Sequence, residues 1–257
     1  MRPFSEYLAA RDANRAQFAT AYPYAVPAFD AAISAFAGLG EQLRTGRDAN
    51  RRSHVSLAPF FFILGRQAIT AFDSLASNQA YASWVALRTG VESALIMGKW
   101  VDDTRNADIW ENRFVDRKTY QKTYQGAGLR SASLPRSSAI QQALSHINDR
   151  YLHPNPQYYF RHLSVEDEPS GDVKIELSFF DDVETVGLGV LSVLHLTAVI
   201  QDSLAEMFSQ LFVDTPRLDV HLADLEQKGA DFRKSAGAAR ADAEWLLVNV
   251  GLWPGAT

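Results

Sequence analysis

Apolar side chains recur at intervals of three and four along most of this chain, and this spacing limits the fold more than any other feature. The clearest examples run from Leu57 to Leu75 and from Tyr81 to Trp100. Such spacing places apolar side chains on one side of an α-helix, so it predicts amphipathic helices that bury those sides against each other. The sequence therefore predicts an all-α fold, a bundle of several helices.

One region departs from the helical spacing. Pro154 and Pro156 end the preceding helix, because the residue before a proline disfavours helical geometry. Two short runs rich in β-formers follow, from Tyr158 to Val165 and from Val173 to Phe179, separated by the turn-forming sequence Glu-Asp-Glu-Pro-Ser-Gly-Asp. We expect a small β-hairpin insertion around residues 158–179.

The chain contains no internal repeat and no low-complexity linker, so we expect one helical domain over residues 1–257. Within it, a helical pair in residues 1–45 is expected to pack on a core bundle formed by residues 56–250. The most apolar stretch, from Val183 to Ile200, is shorter than the roughly 20 residues that a membrane-spanning helix needs. We interpret it as a buried central helix.

Charge and composition exclude several classes of protein. The absence of cysteine excludes disulfides, thiolate catalysis and zinc sites with sulfur ligands. A formal net charge of −5 gives no overall attraction to nucleic acid or anionic membranes. Residues 1–18 interleave charges with apolar residues, unlike a signal peptide. We expect a cytoplasmic protein that binds no cofactor and no membrane, with RNA as a partner that the net charge does not favour.

Four charged residues lie on the two most apolar helices. Arg66 and Asp73 are seven residues apart and share a helix face, and Arg88 and Glu92 form an i,i+4 pair on the next helix. An unpaired buried charge costs several kcal/mol, so these residues are expected to have partners. They either form ion pairs that fix the register of two helices, or surround a core pocket for an anionic or zwitterionic ligand.

The densest group of polar side chains lies at the end of another helix, where His146, Asn148, Asp149, Arg150 and His153 follow one another closely. His146, Asp149 and His153 share a helix face, but no fourth ligand accompanies them, so we predict no metal site. Cations at this position also suit the negative end of a helix dipole, which is a purely structural role for Arg150 and His153.

The order of these elements resembles a group of uncharacterised bacterial all-helical proteins that are compared with the HEPN (higher eukaryotes and prokaryotes nucleotide-binding) superfamily. The resemblance rests on the sequence Ala-Leu-Arg-Thr-Gly-Val-Glu at residues 86–92, on Trp110, and on the His-Pro-Asn turn that begins at His153. A hairpin and a long apolar helix follow that turn. The similarity covers roughly residues 59–212, and its motifs are short.

The resemblance implies a metal-independent ribonuclease site. In HEPN ribonucleases, an arginine and a histidine separated by four to six residues act on the RNA backbone, usually across a dimer interface. Here only two residues separate Arg150 from His153, and the positions where the family has its arginine hold His146, Ile147 or Asn148. Since Asn148 carries no positive charge, the resemblance implies either a catalytic group of Asn148, Arg150 and His153 or an inactive relative.

Three functional hypotheses follow from the sequence. We favour a non-enzymatic helical protein that acts by association, as a homodimer or with a protein partner, because apolar helical faces are abundant and no complete catalytic motif is present. The first alternative is the HEPN-like ribonuclease or its inactive relative. The second is a small-ligand binder whose charged pocket contains Arg66, Asp73, Arg88 and Glu92.

Overall fold

The computed structural model describes residues 4–45, 54–152, 162–167, 171 and 173–212. Within them it contains eight α-helices and one pair of strands, which confirms the predicted all-α bundle with a small β-hairpin. The α-helices, numbered here in chain order, are α1 (Phe4–Ala21), α2 (Ala25–Thr45), α3 (Ala58–Ala76), α4 (Ala80–Asp102), α5 (Arg105–Glu111), α6 (Arg117–Tyr124), α7 (Ser137–Ile147) and α8 (Val183–Met207). The predicted last helix, residues 216–250, and residues 158–161 of the predicted hairpin lie outside the described residues.

Three consecutive long helices form one side of the bundle, with α3 between α2 and α4. Phe29 of α2 stacks on Phe72 of α3 with ring centroids 3.9 Å apart. Nearer the other end of this pair, Gly40 lets α2 approach Phe61, because an added Cβ would lie only 2.9 Å from the Phe61 Cβ. Close apolar packing of this kind stabilises the core, which is continuous across the described helices.

The long helix α8 packs against α2, α3 and α4 and is almost entirely buried. The hydroxyls of Ser192, Thr197 and Ser203 donate to carbonyls four residues earlier in the same helix. The Gln201 amide donates to the Ala32 carbonyl of α2 at 2.6 Å. Burial lowers the pKa of His195 to about 4, so this side chain is neutral in the core at neutral pH. The interpretation of the apolar stretch as a buried central helix is confirmed.

Two stretches of the described chain are long and apolar enough to cross a membrane by length and composition alone, Val55–Ala76 and Thr185–Met207. The second is 83% buried inside the protein, as the core helix of a bundle would be. The first is 39% buried, because one side of α3 faces outward. That outward side is mixed: Phe62, Ile63 and Ile69 are exposed beside Arg66.

The hairpin consists of two antiparallel strands, β1 (Leu163–Asp167) and β2 (Val173–Leu177). Leu163 pairs with Leu177 and Val165 pairs with Ile175, so apolar residues share one face of the hairpin. The opposite face holds Lys174, whose ammonium lies 2.8 Å from the Glu176 carboxylate. The hairpin lies beside the start of α1 and leads directly into α8.

Candidate functional site

A polar cavity of about 340 Å³ opens between α4, α6 and α7. It contains residues from two groups that the sequence predicted separately, the charged pair of α4 and the polar cluster that follows α7. The side chains that carry its chemistry are Arg88, Glu92, Tyr120, Gln141, Ser145 and Asn148. Leu129 and Leu144 supply apolar wall, so the cavity combines apolar surface with a few polar groups, as ligand pockets do.

Arg88 is the centre of this cavity, which we call the Arg88 pocket. Its Nε donates to the Asn148 Oδ1 at 2.8 Å, and its Nη1 donates to the Glu92 carboxylate at 2.9 Å. All three side chains are half-buried. A guanidinium held by two partners at partial burial keeps a fixed orientation while part of it faces the cavity.

Local structure after α7 brings Asn148 to this position. The chain continues from α7 into a wider π-helical turn, Asn148–Leu152. Tyr151 of this turn packs on Trp84 and Tyr81 of α4, with ring centroids 5.8 and 5.7 Å apart. These aromatic contacts fix the turn against α4, so Asn148 reaches Arg88 sixty positions earlier in the chain.

The two tyrosines of the Arg88 pocket differ in their hydrogen bonding. The Tyr124 hydroxyl donates to the Asn106 carbonyl and accepts from the Trp100 indole, and burial raises its pKa to about 12. The Tyr120 hydroxyl has no hydrogen-bond partner within the described part of the chain, and burial together with the Glu92 charge raises its pKa. Tyr120 therefore offers the pocket a neutral hydroxyl at neutral pH.

The chemistry of the Arg88 pocket is that of binding. Its cation, carboxylate, amide and phenol can orient a small polar molecule. Among the described residues no histidine lines the cavity, so none of them supplies the usual proton-transfer group at neutral pH. Among the described residues, no group of three metal-ligating side chains comes together anywhere.

The structure places the other predicted site residues elsewhere. Arg66 and Asp73 do not line the Arg88 pocket; both are exposed on the outward side of α3. Asp73 accepts from Arg15 of α1 at 2.5 Å, whereas Arg66 has no ion pair with any described residue. The spacing of seven correctly predicted a shared face, but that face is turned away from the core. Arg150 is half-buried, and His153 lies outside the described residues.

A second, larger cleft was not predicted from the sequence. It encloses about 1100 Å³ between the start of α1 and the hairpin, and we call it the hairpin cleft. Tyr7 and Asn14 of α1 form one wall, and Leu163, Ile175 and Leu177 of the hairpin form another. Tyr7 stacks on Phe180 with ring centroids 5.6 Å apart, which joins α1 to the chain segment after β2.

Six large apolar side chains are exposed on or beside the hairpin that borders this cleft. Ile175 is 64% exposed, and the other members of the group lie between 42% and 72%. The group comprises Phe4, Val165, Val173, Ile175, Leu177 and Phe179, and we call it the hairpin surface. Contiguous exposed apolar surface beside charged groups is typical of an interaction site.

A buried ion pair holds the base of the hairpin. Asp181 accepts from the Ala80 amide at the start of α4 at 2.7 Å, and its other oxygen lies 3.3 Å from Nε2 of His162. The hydrogen bond from His162 to Asp181 is the main cause of a raised His162 pKa. The Asp181 carboxylate therefore connects the hairpin to α4, because it accepts from the Ala80 amide and from the His162 ring.

Some of these features have a signal in the sequence. The alternation Val-Lys-Ile-Glu-Leu over residues 173–177 indicates a strand with one apolar face, although it does not show that the face is exposed. The role of Asp181 has no local signal, since its partners lie 19 and 101 positions away.

No protein-family model matches this sequence, and neither a curated protein nor a solved structure is significantly similar to it.

Proposed function

We propose that this protein acts by associating with a second copy of itself through the hairpin surface, and that it is not an enzyme. The observation that carries the proposal is the exposure of six large apolar side chains around one cleft. Burying such surface against another protein is favourable by about 25 cal/mol per Å² of apolar area. Other large apolar side chains are exposed elsewhere, among them Phe62, Ile63 and Ile69 on α3, but these six lie on or beside one hairpin, and such grouping is typical of an interface.

The geometry of the hairpin supports the same proposal. All five side chains of β2 are exposed, so neither face of that strand is covered along its length. A two-stranded hairpin is marginally stable in water unless it packs against something else. Among the described residues, Asp181, His162 and the Tyr7–Phe180 stack attach its base to the bundle. Association through this hairpin would cover part of the remaining apolar surface.

The test compares two exposed isoleucines in the full chain. Ile175→Lys places a charge in the hairpin surface, whereas Ile69→Lys places one on the outward side of α3, where Ile69 is 49% exposed. We expect the wild type and Ile69→Lys to form dimers in light scattering coupled to size exclusion, and Ile175→Lys to be a monomer. A monomeric wild type at every concentration refutes the proposal. Loss of the dimer in Ile69→Lys alone would move the interface to α3.

The Arg88 pocket supports a second function, the binding of a small zwitterionic molecule. The observation that supports this function is that one cavity of about 340 Å³ contains a fixed guanidinium, a carboxylate and the Tyr120 hydroxyl, which has no hydrogen-bond partner among the described residues. A ligand carrying one carboxylate and one ammonium group matches these charges. Arg88→Lys keeps the charge but loses the planar pair of donors, so it should weaken binding.

This candidate is tested by thermal shift with free amino acids and, as a comparison, simple carboxylates lacking an ammonium group. Stabilisation by amino acids in the wild type and in Arg66→Lys, but not in Arg88→Lys, supports the pocket, because Arg66 lies outside it. Equal responses of all three proteins would refute it.

The ribonuclease hypothesis and the cytoplasmic location stay predictions from the sequence. Of the proposed catalytic residues, Asn148 is already hydrogen-bonded to Arg88, and a role for Arg150 and His153 depends on RNA cleavage that must be measured.

A further inference from the structure

Strand β2 has one edge that pairs with β1 and another that pairs with no strand in the described part of the chain. We propose that the open edge of β2 pairs antiparallel with β2 of a second copy, about a two-fold axis at Ile175. This inference rests on the self-association proposed above. The two hairpins then form one four-stranded sheet. Open strand edges present unpaired amide and carbonyl groups, which favours such pairing.

The hydrogen-bond pattern of the hairpin shows which groups face the open edge. The Ser178 amide donates to the His162 carbonyl at 2.8 Å, so these residues form a pair whose groups point at each other. Because this arrangement alternates along an antiparallel ladder, Glu176 and Lys174 also direct their backbone groups toward β1. The backbone groups of Val173, Ile175 and Leu177 therefore point outward.

This alternation determines where the two-fold axis can lie. An axis at Ile175 brings two outward-facing residues together, and each Ile175 donates to the other. Val173 then lies opposite Leu177 of the partner subunit, and Leu177 lies opposite the partner's Val173. Six backbone hydrogen bonds would form, two at each of these three residue pairs. An axis at a neighbouring residue would centre the pairing on groups already used by β1.

Charge complementarity supports the same register. With the axis at Ile175, Lys174 lies opposite the partner's Glu176, and Glu176 lies opposite the partner's Lys174. Both side chains are about half exposed, and within one chain they already form an ion pair across one face of β2. Opposite charges at paired positions stabilise a sheet and like charges destabilise it. The sequence Val-Lys-Ile-Glu-Leu is thus complementary to itself when reversed.

The other edge of the hairpin lacks this property. Pairing β1 with itself about Val165 would place Ser164 opposite the partner's Glu166, so no cation would meet either carboxylate. In the β2–β2 pair, by contrast, Val173, Ile175 and Leu177 of the two copies lie side by side on one face of the four-stranded sheet, so each copy covers the flanks of the other's apolar side chains. The same side chains continue the apolar face that lines the hairpin cleft, since Ile175 and Leu177 belong to both.

Charge reversal in the full chain tests the register. Lys174→Glu places Glu opposite Glu twice, and Glu176→Lys places Lys opposite Lys twice. Each variant alone should weaken the dimer about 5- to 30-fold, as expected for two cross-strand pairs that each change by up to about 1 kcal/mol. The variant Glu166→Lys/Lys174→Glu/Glu176→Lys restores both intermolecular pairs and keeps opposite charges at the facing positions 166 and 174 of each hairpin, so it should dimerise like the wild type.

Mixing gives the sharper result. An equimolar mixture of Lys174→Glu and Glu176→Lys contains opposite charges at every facing position, so a heterodimer should dominate in native mass spectrometry. A statistical mixture of homodimers and heterodimers, or a restored-charge variant (Glu166→Lys/Lys174→Glu/Glu176→Lys) as weak as the single variants, would overturn the register. If Ile175→Lys still abolishes the dimer in that case, self-association stands and only the strand pairing fails. A wild type that is monomeric throughout refutes both.

Discussion

Asp181 is the residue whose removal should most affect how the hairpin is attached. Asp181→Ala removes the acceptor of the Ala80 amide at the start of α4 and the partner of His162. Loss of an acceptor at a helix start costs about 0.5–2 kcal/mol. Leaving a buried donor unsatisfied costs about 1–3 kcal/mol. Because both costs include the lost acceptor of the Ala80 amide, they do not simply add, and we expect the free energy of unfolding to fall by about 1.5–4 kcal/mol.

Asp181→Asn is the matched control, because an amide oxygen can still accept from Ala80 while the charge is lost. We expect about 1–1.5 kcal/mol of destabilisation, the difference between a hydrogen bond to a charged group and one to a neutral group. The His162 pKa is raised in the folded protein, so its stabilising effect is fully present below about pH 6.5 and is lost as pH rises through the raised pKa. The difference between wild type and Asp181→Asn should therefore shrink as pH rises.

The assay is urea unfolding of all three proteins at one concentration between pH 5.5 and 8.5, with free energies from linear extrapolation. Hydrogen exchange of residues 162–180 in the same samples reports the attachment of the hairpin directly. A loss below about 0.5 kcal/mol for Asp181→Ala, well under the cost of an unsatisfied buried donor, would refute the reasoning. A difference between wild type and Asp181→Asn that grows with pH would contradict the assigned role of His162.

Four further predictions concern the bundle and the alternative function. Gly98→Ala should cost about 1–3 kcal/mol in urea unfolding, because its Cβ would lie 2.7 Å from the Ser131 hydroxyl. Gly38→Ala, with no atom within 4 Å of the new Cβ, should stabilise the protein by up to about 1 kcal/mol. Because the His195 pKa is about 4 in the folded protein, His195 of the unfolded chain alone becomes protonated as pH falls from about 6.5 to about 4. The free energy of unfolding should therefore fall over that range by at most about 3 kcal/mol. This contribution should disappear in His195→Gln. Mixed-sequence RNA in EDTA should be cleaved no faster by the wild type than by His153→Ala; cleavage lost in the variant would establish the ribonuclease hypothesis instead.

The sequence predicted the fold because helix formation here depends on local spacing. The apolar residues of α3, α4 and α8 repeat at the helical interval, and a β-hairpin interrupts them where prolines and a turn sequence stand. Spacing also predicted that Arg66 and Asp73 share a face. It did not predict that this face points outward. The apolar residues Phe62, Ile63 and Ile69 lie on the same face, and apolar residues are normally expected to point into the core.

The Arg88 pocket and the hairpin surface depend on tertiary structure. Arg88 and Glu92 were predicted as a pair from their spacing, but Asn148 joins them only because Tyr151 packs on Trp84. For β2, alternation predicts an apolar face, and such a face is normally buried against a core. Its exposure follows from how few contacts attach the hairpin to the bundle, which no local pattern records.

Disulfide trapping tests the central claim most directly, because the chain contains no cysteine and every single-cysteine variant is therefore unambiguous. In the proposed sheet, the two Ile175 residues form a hydrogen-bonded pair with Cα atoms about 5.5 Å apart, which a disulfide can bridge. The two Val165 residues lie three strand spacings apart, about 14 Å. We predict that Ile175→Cys gives a covalent dimer under mild oxidation and that Val165→Cys stays a monomer. A covalent dimer from Val165→Cys, or none from Ile175→Cys, would contradict the account.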